Sequence, residues 1–275
     1  MIALTRKRTK SAIVASFRGP KPLERLLELM QERRDKIAAG DDLKLKFKSK
    51  WGTTKRQLLR ETHDKCAYCE SHTAAVAFGD VEHYRPKSIY WWLAYVYDNY
   101  LASCSVCNQQ FKSNSFEFSG AEMPGPALTG AETDAALSAM TAEFAPDPLD
   151  APAIDAFTAA HRAEAPLIPN PYFDDPEAFF AWEALVGAKE VVLIPRPGVA
   201  NAAEIVDACE RLYGLNRPQL KRRRYIQWRN YSFARAVSQD ATADAALRAE
   251  ADELIASFLA PESEYAAMIR FFEAL

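Results

Sequence analysis

The sequence predicts an α+β protein that is predominantly helical, with a small metal-stabilised core near its middle. Three observations carry that reading. Helical apolar spacing recurs at both ends, as in "KPLERLLELMQERRDKIAA" at 21–39 and "NAAEIVDACERLYGL" at 201–215. Strand-like runs are few and short, with "EVVLIP" at 190–195 the clearest. Four of the five cysteines form two C-x-x-C pairs, Cys66 with Cys69 and Cys104 with Cys107.

The elements follow in order. Residues 1–59 read as a basic arm and helices. The arm, 1–19, is extended; a helix follows at 21–39, where Leu23, Leu26, Leu27 and Met30 keep helical spacing and Pro22 sits in the first turn. A second helix is expected at 52–65. Residues 60–116 hold the cysteines and an aromatic run, "IYWWLAYVY" at 89–97, which is read as core before it is read as a base-stacking surface. Residues 117–166 are rich in Ala, Pro and acids and suggest a surface excursion, partly helical at best. The C-terminal region, 167–275, has two candidate strands, in 165–184 and at 190–195, and then helices. Asn216 is a plausible N-cap for the basic helix at 217–237, with Pro218 in its first turn. Two more helices are expected at about 242–260 and 262–274.

The chain's 275 residues carry a formal net charge of only −3. That average hides an asymmetry. Residues 1–60 hold 17 basic and 6 acidic residues, a net of +11, whereas 117–190 hold 2 basic and 14 acidic residues, a net of −12. A polyanion contacted on one face would fit this pattern, and so would two ordinary solvated surfaces. No apolar run approaches the ~18 residues that span a bilayer, and the N-terminus lacks a signal-peptide core, so a soluble cytoplasmic protein with no membrane partner is expected.

In such a compartment two C-x-x-C pairs point to a metal rather than to disulfides. Four thiolates close a tetrahedral structural zinc site and leave no position open for a water nucleophile. The 34 residues between the pairs exceed the usual ribbon spacing, so something substantial is inserted there, and the insert contains Glu82-His83. Cys209, alone in a helical segment, reads as a buried thiol.

The stretch from "CAYCESHTAAVAFGDVEHYRPKS" (66–88) to "DNYLASCSVCNQQFKSN" (98–114) resembles the zinc-containing ββα-metal HNH nucleases, close in layout to phage endonuclease VII. In that family the order is C-x-x-C, acid-His, Asn-x4-C-x-x-C, then Asn or His, then Lys. Here the corresponding residues are Cys66 and Cys69, Glu82-His83, Asn99, Cys104 and Cys107, Asn108, and Lys112. Glu stands where Asp is commoner, and Asn where many members have His; both still offer oxygen ligands to a hard cation. The later "PLIPNPYFDDPEAFF" and "LYGLNRPQLKRRR" resemble the HNH nuclease subunits of Septu-type and retron-associated bacterial anti-phage systems.

The chemistry agrees with the resemblance. A neutral imidazole accepts a proton from water near pH 7, which makes His83 the expected general base. Glu82 and Asn108 are the expected ligands of a catalytic Mg²⁺ or Mn²⁺. The resemblance implies that Asn99 orients the loop carrying His83. Arg85, Lys87 and Lys112 are candidate phosphate contacts, with solvated charge as the alternative for Arg85 and Lys87. His63 and His72 read as surface imidazoles, and His161 carries no assigned role. The resemblance also implies an AAA- or ABC-type ATPase partner, with nucleic acid, DNA before RNA, as substrate. No G-x-x-x-x-G-K-[ST] occurs in the sequence, so ATP use would belong to another chain. The acidic 117–190 stretch is poor DNA-binding material and a candidate docking face, while "KRRRY" at 221–225 fits a nucleic-acid contact or a solvated helix face. Two other readings remain: a stand-alone restriction- or toxin-type nuclease, and a non-catalytic zinc-stabilised nucleic-acid-binding or adaptor module.

Overall fold

The computed structural model describes residues 1–73 and 77–275. Residues 74–76, inside the stretch between the first C-x-x-C pair and Glu82, lie outside the described residues. About half of the chain is helical, and the described strands form two small antiparallel sheets. No helix among the described residues is long and apolar enough to cross a membrane.

Helix α1 (Pro20–Ala39) buries Pro22, Leu26, Leu29 and Met30 and stops at Gly40, whose φ of 70° is a left-handed cap that glycine takes without strain. The expected second helix is shorter than its pattern suggests: a 3₁₀ turn at Trp51–Thr54 leads into α2 (Lys55–Glu61). Strand β1 (Asp80–His83) ends on His83, and pairs antiparallel with β2 (Tyr100–Ser103), setting His83 opposite Tyr100. A seven-residue helical segment, Val106–Lys112, follows. Its turns are wide: the Ser113 amide donates to the Asn108 carbonyl, five residues back, at 2.7 Å.

The β1–β2 hairpin lies between two cores. Leu101 and Tyr84 belong to a cluster with the cysteines and the C-terminal helices. Tyr100 and Ala102 belong to a second cluster with α1 and the aromatic run from Tyr90 to Tyr97. Successive side chains on a strand point to opposite faces, so a strand buried on both sides shows no polar alternation.

The Ala/Pro-rich stretch is mostly exposed, but it is more helical than expected and reaches the core at its C-terminal end. It forms α3 (Asp134–Phe144) and α4 (Ala151–Glu164), and α4 carries His161 and Glu164, both fully buried. Thr133 caps α3, its side chain accepting from the Ala136 amide. Strands β3 (Phe180–Leu185) and β4 (Glu190–Pro195) form the second hairpin.

Helices α5 (Ala202–Tyr213), α6 (Pro218–Gln239), α7 (Ala245–Leu259) and α8 (Ala266–Glu273) complete the chain. Asn216 does not cap α6. Its side chain instead bonds both backbone groups of Leu193 in β4, at 2.8 and 2.9 Å, and Arg217 takes the cap position. The cause is the competing demand of a strand edge, which an Asn amide satisfies with one donor and one acceptor. Helix α5 ends at Gly214, with φ at 58°, where an added Cβ would lie 2.3 Å from the Phe111 ring. Gly214→Ala is therefore expected to cost about 2 kcal/mol or more, left-handed strain adding to overpacking. Chemical denaturation of the zinc-loaded protein would measure it.

Candidate metal centre and adjoining cleft

The two C-x-x-C pairs meet. The Sγ atoms of Cys66, Cys69, Cys104 and Cys107 all lie within 4.8 Å of one another. A tetrahedral zinc with Zn–S bonds of about 2.3 Å needs sulfur separations of about 3.8 Å, so the set fits that ion with little adjustment. The first knuckle turns at Glu70, whose φ is 61°, and hangs on β2 through the Ala67 amide, which donates to the Ala102 carbonyl at 2.9 Å. The second knuckle opens the Val106–Lys112 segment, with the Cys107 amide donating to Cys104 Sγ at 3.4 Å. Arg217 Nη1 donates to Cys107 Sγ at 3.5 Å and to the Tyr213 carbonyl at 3.0 Å. Four thiolates around a dication leave a net negative charge, which this half-buried guanidinium offsets; the sulfurs in turn push the Arg217 pKa up. Mutual hydrogen bonds, with Cys104 first, hold the Cys69 thiol well below its usual range. Cys209 is buried and stands apart from the cluster, with burial pushing its thiol up.

Beside the knuckles is a cleft of about 290 Å³ lined by Trp51, Glu82, His83, Lys87, Asn108 and Gln109, among others. His83 is 7% exposed. Its Nε2 lies 3.1 Å from the Ala94 carbonyl oxygen, which can only accept, so Nε2 carries the proton and Nδ1 keeps a lone pair. Burial, with the Lys87 charge adding to it, pushes the imidazole down to about 3, so it is neutral at physiological pH. Trp51 and Tyr100 hold the ring edge-on, with centroids at 4.7 and 5.1 Å.

Asn99 is fully buried. Its Oδ1 accepts from the Arg85 amide at 2.8 Å, and its Nδ2 donates to the Arg85 carbonyl at 3.0 Å. The chain just beyond His83 is thus held on both backbone groups by one side chain. Glu82 is 3% exposed. Its Oε1 is ion-paired with Lys112 Nζ at 2.6 Å, and the same ammonium donates to the His83 carbonyl at 3.0 Å. Burial pushes the Glu82 carboxyl up against the opposing pull of Lys112. Asn108 Nδ2 donates to Asp80 Oδ2 at 3.2 Å and leaves Oδ1 as its acceptor atom. A carboxylate and an amide side chain lining the same cleft form a minimal hard donor set, which a Mg²⁺ that keeps several waters can use. Asp80, also held by Gln109 at 2.8 Å, is a neighbour that sequence reasoning passed over.

The candidate phosphate contacts separate. Lys87 lines the cleft, its ammonium over the rings of Trp51 at 5.3 Å and Phe47 at 6.0 Å. Lys112 is fully buried beneath Glu82. Arg85 is also fully buried, facing away into the core, where it meets Glu164 at 2.5 Å and His161 Nδ1 at 3.1 Å. His161 in turn meets Asp174 at 3.0 Å. Of the basic run at 221–225, Arg224 is buried on the Leu215 carbonyl, Lys221 pairs with Glu190, and Arg223 pairs with Glu264.

Over 112 residues the chain is 31% identical to Septu protein PtuB of Bacillus mycoides (strain KBAB4). The match covers 34% of this chain and 38% of that protein, so it spans little more than a third of the relative's length. No family model matches the sequence, and no solved structure matches the chain. The shown kinship is thus partial similarity to a Septu protein, joined to an α+β fold with a four-cysteine cluster suited to a metal such as zinc.

Proposed function

We infer that the cleft is the active site of a metal-dependent HNH nuclease that hydrolyses phosphodiester bonds in nucleic acid, with DNA the favoured substrate. The observation that carries the reading is the state of His83: neutral, fixed through Nε2 to a carbonyl, and left with a free lone pair on Nδ1. A histidine that serves only packing has no need of that arrangement beside a carboxylate and an amide oxygen in one cleft. In the reaction, water attacks phosphorus, its proton passes to Nδ1, and the phosphorus–oxygen ester bond opposite breaks. Glu82 and Asn108 would hold Mg²⁺ or Mn²⁺. Bound there, the ion supplies charge neutralisation at the phosphate and the leaving oxygen. Asn99 keeps the His83 loop in register through Arg85's backbone. The four-cysteine zinc is scaffold.

Similarity to a Septu protein supports an assignment to cytoplasmic anti-phage defence, with an ATPase subunit as partner. A second reading, a zinc-stabilised nucleic-acid-binding module without catalysis, draws on the ion pair that already neutralises Glu82. One experiment separates them. Purified protein with Mn²⁺ or Mg²⁺, alone and with the co-encoded ATPase, is incubated with supercoiled plasmid, linear duplex and RNA. His83→Ala should lower the cutting rate at least about 100-fold, the usual scale of a general base, while about one zinc per chain is kept. Equal cutting by wild type and His83→Ala would sink the assignment.

A further inference from the structure

We propose that the lysine-bearing strap at 41–50 is the track along which a nucleic-acid backbone enters the His83 cleft, a reading that rests on the nuclease assignment above. The strap, "DDLKLKFKSK", has no regular secondary structure, and its burial alternates from Lys44 to Lys48. Leu45 is buried and Phe47 half-buried against the aromatic cluster, whereas Lys44, Lys46, Lys48 and Lys50 are all exposed. Its backbone is clamped. The Tyr95 hydroxyl accepts from the Lys48 amide at 2.8 Å and donates to the Lys48 carbonyl at 3.0 Å. The Lys46 amide donates to Glu32 at 3.2 Å. With Leu45 and Phe47 anchored inward, Lys44, Lys46 and Lys48 are set outward in a row, about 6.6–6.8 Å apart where the chain is extended, and Lys50 follows at the start of the 3₁₀ turn. Among the described residues one ion pair touches the row, Lys48 with Glu28 at 2.7 Å, and both partners are more than half exposed, so it neutralises little.

The row also has a direction. Lys50 is followed at once by Trp51, whose ring meets His83 edge-on at 4.7 Å on the wall of the cleft. Lys87 stands over Phe47 and Trp51 and extends the row of positive charge to the imidazole. A repeating row of cations matches a repeating row of phosphates and carries no base-reading geometry, so the contact is to backbone. An acidic protein partner would satisfy the lysines but would give no reason for the row to end at this cleft.

The test is salt-dependent binding of labelled single-stranded and duplex oligonucleotides, by anisotropy on full-length protein without added divalent ion. Each phosphate contact contributes about 0.7–0.9 to the slope of log affinity against log salt, so K44Q/K46Q/K48Q/K50Q should flatten that slope by about 3 and weaken binding at least about tenfold near 0.1 M salt. A charge-matched control, K21Q/R162Q/K189Q/R229Q, removes four exposed cations elsewhere and should flatten it by less than about 1. An unchanged slope in the strap variant, or an equal loss in the control, overturns the proposal. So does wild-type protein that binds neither probe. Binding that depends on the strap without any cutting in Mg²⁺ or Mn²⁺ would support the track and refute the nuclease. Cutting with strap-independent binding would do the reverse.

Discussion

Stripping the metal from the four-cysteine site should unfold the region that carries the cleft, rather than merely silence it. The four ligands come from two knuckles 34 residues apart; Glu82, His83, Lys87 and Asn99 lie between them, and Trp51, Asn108 and Gln109 flank them. Asn108 itself directly follows the fourth ligand. Cys66, Cys69 and Cys107 also form part of the core shared with α5 and α8. Zinc binding in small Cys/His modules supplies about 10–16 kcal/mol of folding free energy, as much as the whole stability of many domains. Hydrogen exchange before and after chelation should show residues 62–73 and 77–116 losing protection while α6 and α7, which pack against each other, retain theirs. Cys107→Ser should do the same without chelator, because a hydroxyl does not replace a thiolate at zinc. Cys209→Ser should keep about one zinc per chain. Full protection of residues 77–116 in metal-free protein would show that apolar packing alone holds the hairpin.

What could be read from the sequence was local chemistry. Pro22 opens α1, and each C-x-x-C pair sets its two thiols together, because each signal acts within a few residues. Strand β1 carries no periodic signal, because Glu82 and His83 are adjacent, on opposite faces, and both buried; only the motif marks them. Arg85 illustrates what was not legible. Beside the basic Lys87 it reads as a phosphate contact or a solvated charge, yet its partner Glu164 lies 79 residues away on an Ala-rich helix. No spacing rule reaches that far. A buried charge is placed by the partner that neutralises it, and the partner is a property of the fold. Asn216 fails as a cap for the same reason: the edge of β4 was the stronger claimant for its amide.

That long-range pair gives the second large expectation, that Glu164→Ala destabilises the protein by about 3–5 kcal/mol, the usual cost of removing one partner from a buried ion pair. Glu164 and Arg85 are both fully buried. Glu164 Oε2 accepts from Arg85 Nε at 2.7 Å, and Oε1 accepts from the Tyr90 hydroxyl at 2.7 Å and the Met123 amide at 2.9 Å. Truncation strands a guanidinium, a hydroxyl and a backbone amide at once, with His161 the remaining side chain in hydrogen-bond reach of Arg85. Replacing both partners by apolar groups, Arg85→Met with Glu164→Leu, should recover most of the loss, since a buried pair contributes little net stability over well-packed hydrophobic residues. Urea denaturation of the two single variants and the double gives the coupling directly. A Glu164→Ala cost below about 1 kcal/mol would mean that water reaches the pair and that α4 is not part of the core. The consequence reaches the cleft as well. Arg85 lies two residues from His83, and its backbone is the part that Asn99 holds. An Arg85 side chain freed from Glu164 pulls on the loop that fixes the imidazole, so Glu164→Ala should also slow cutting at temperatures where the variant is still folded, with zinc content unchanged.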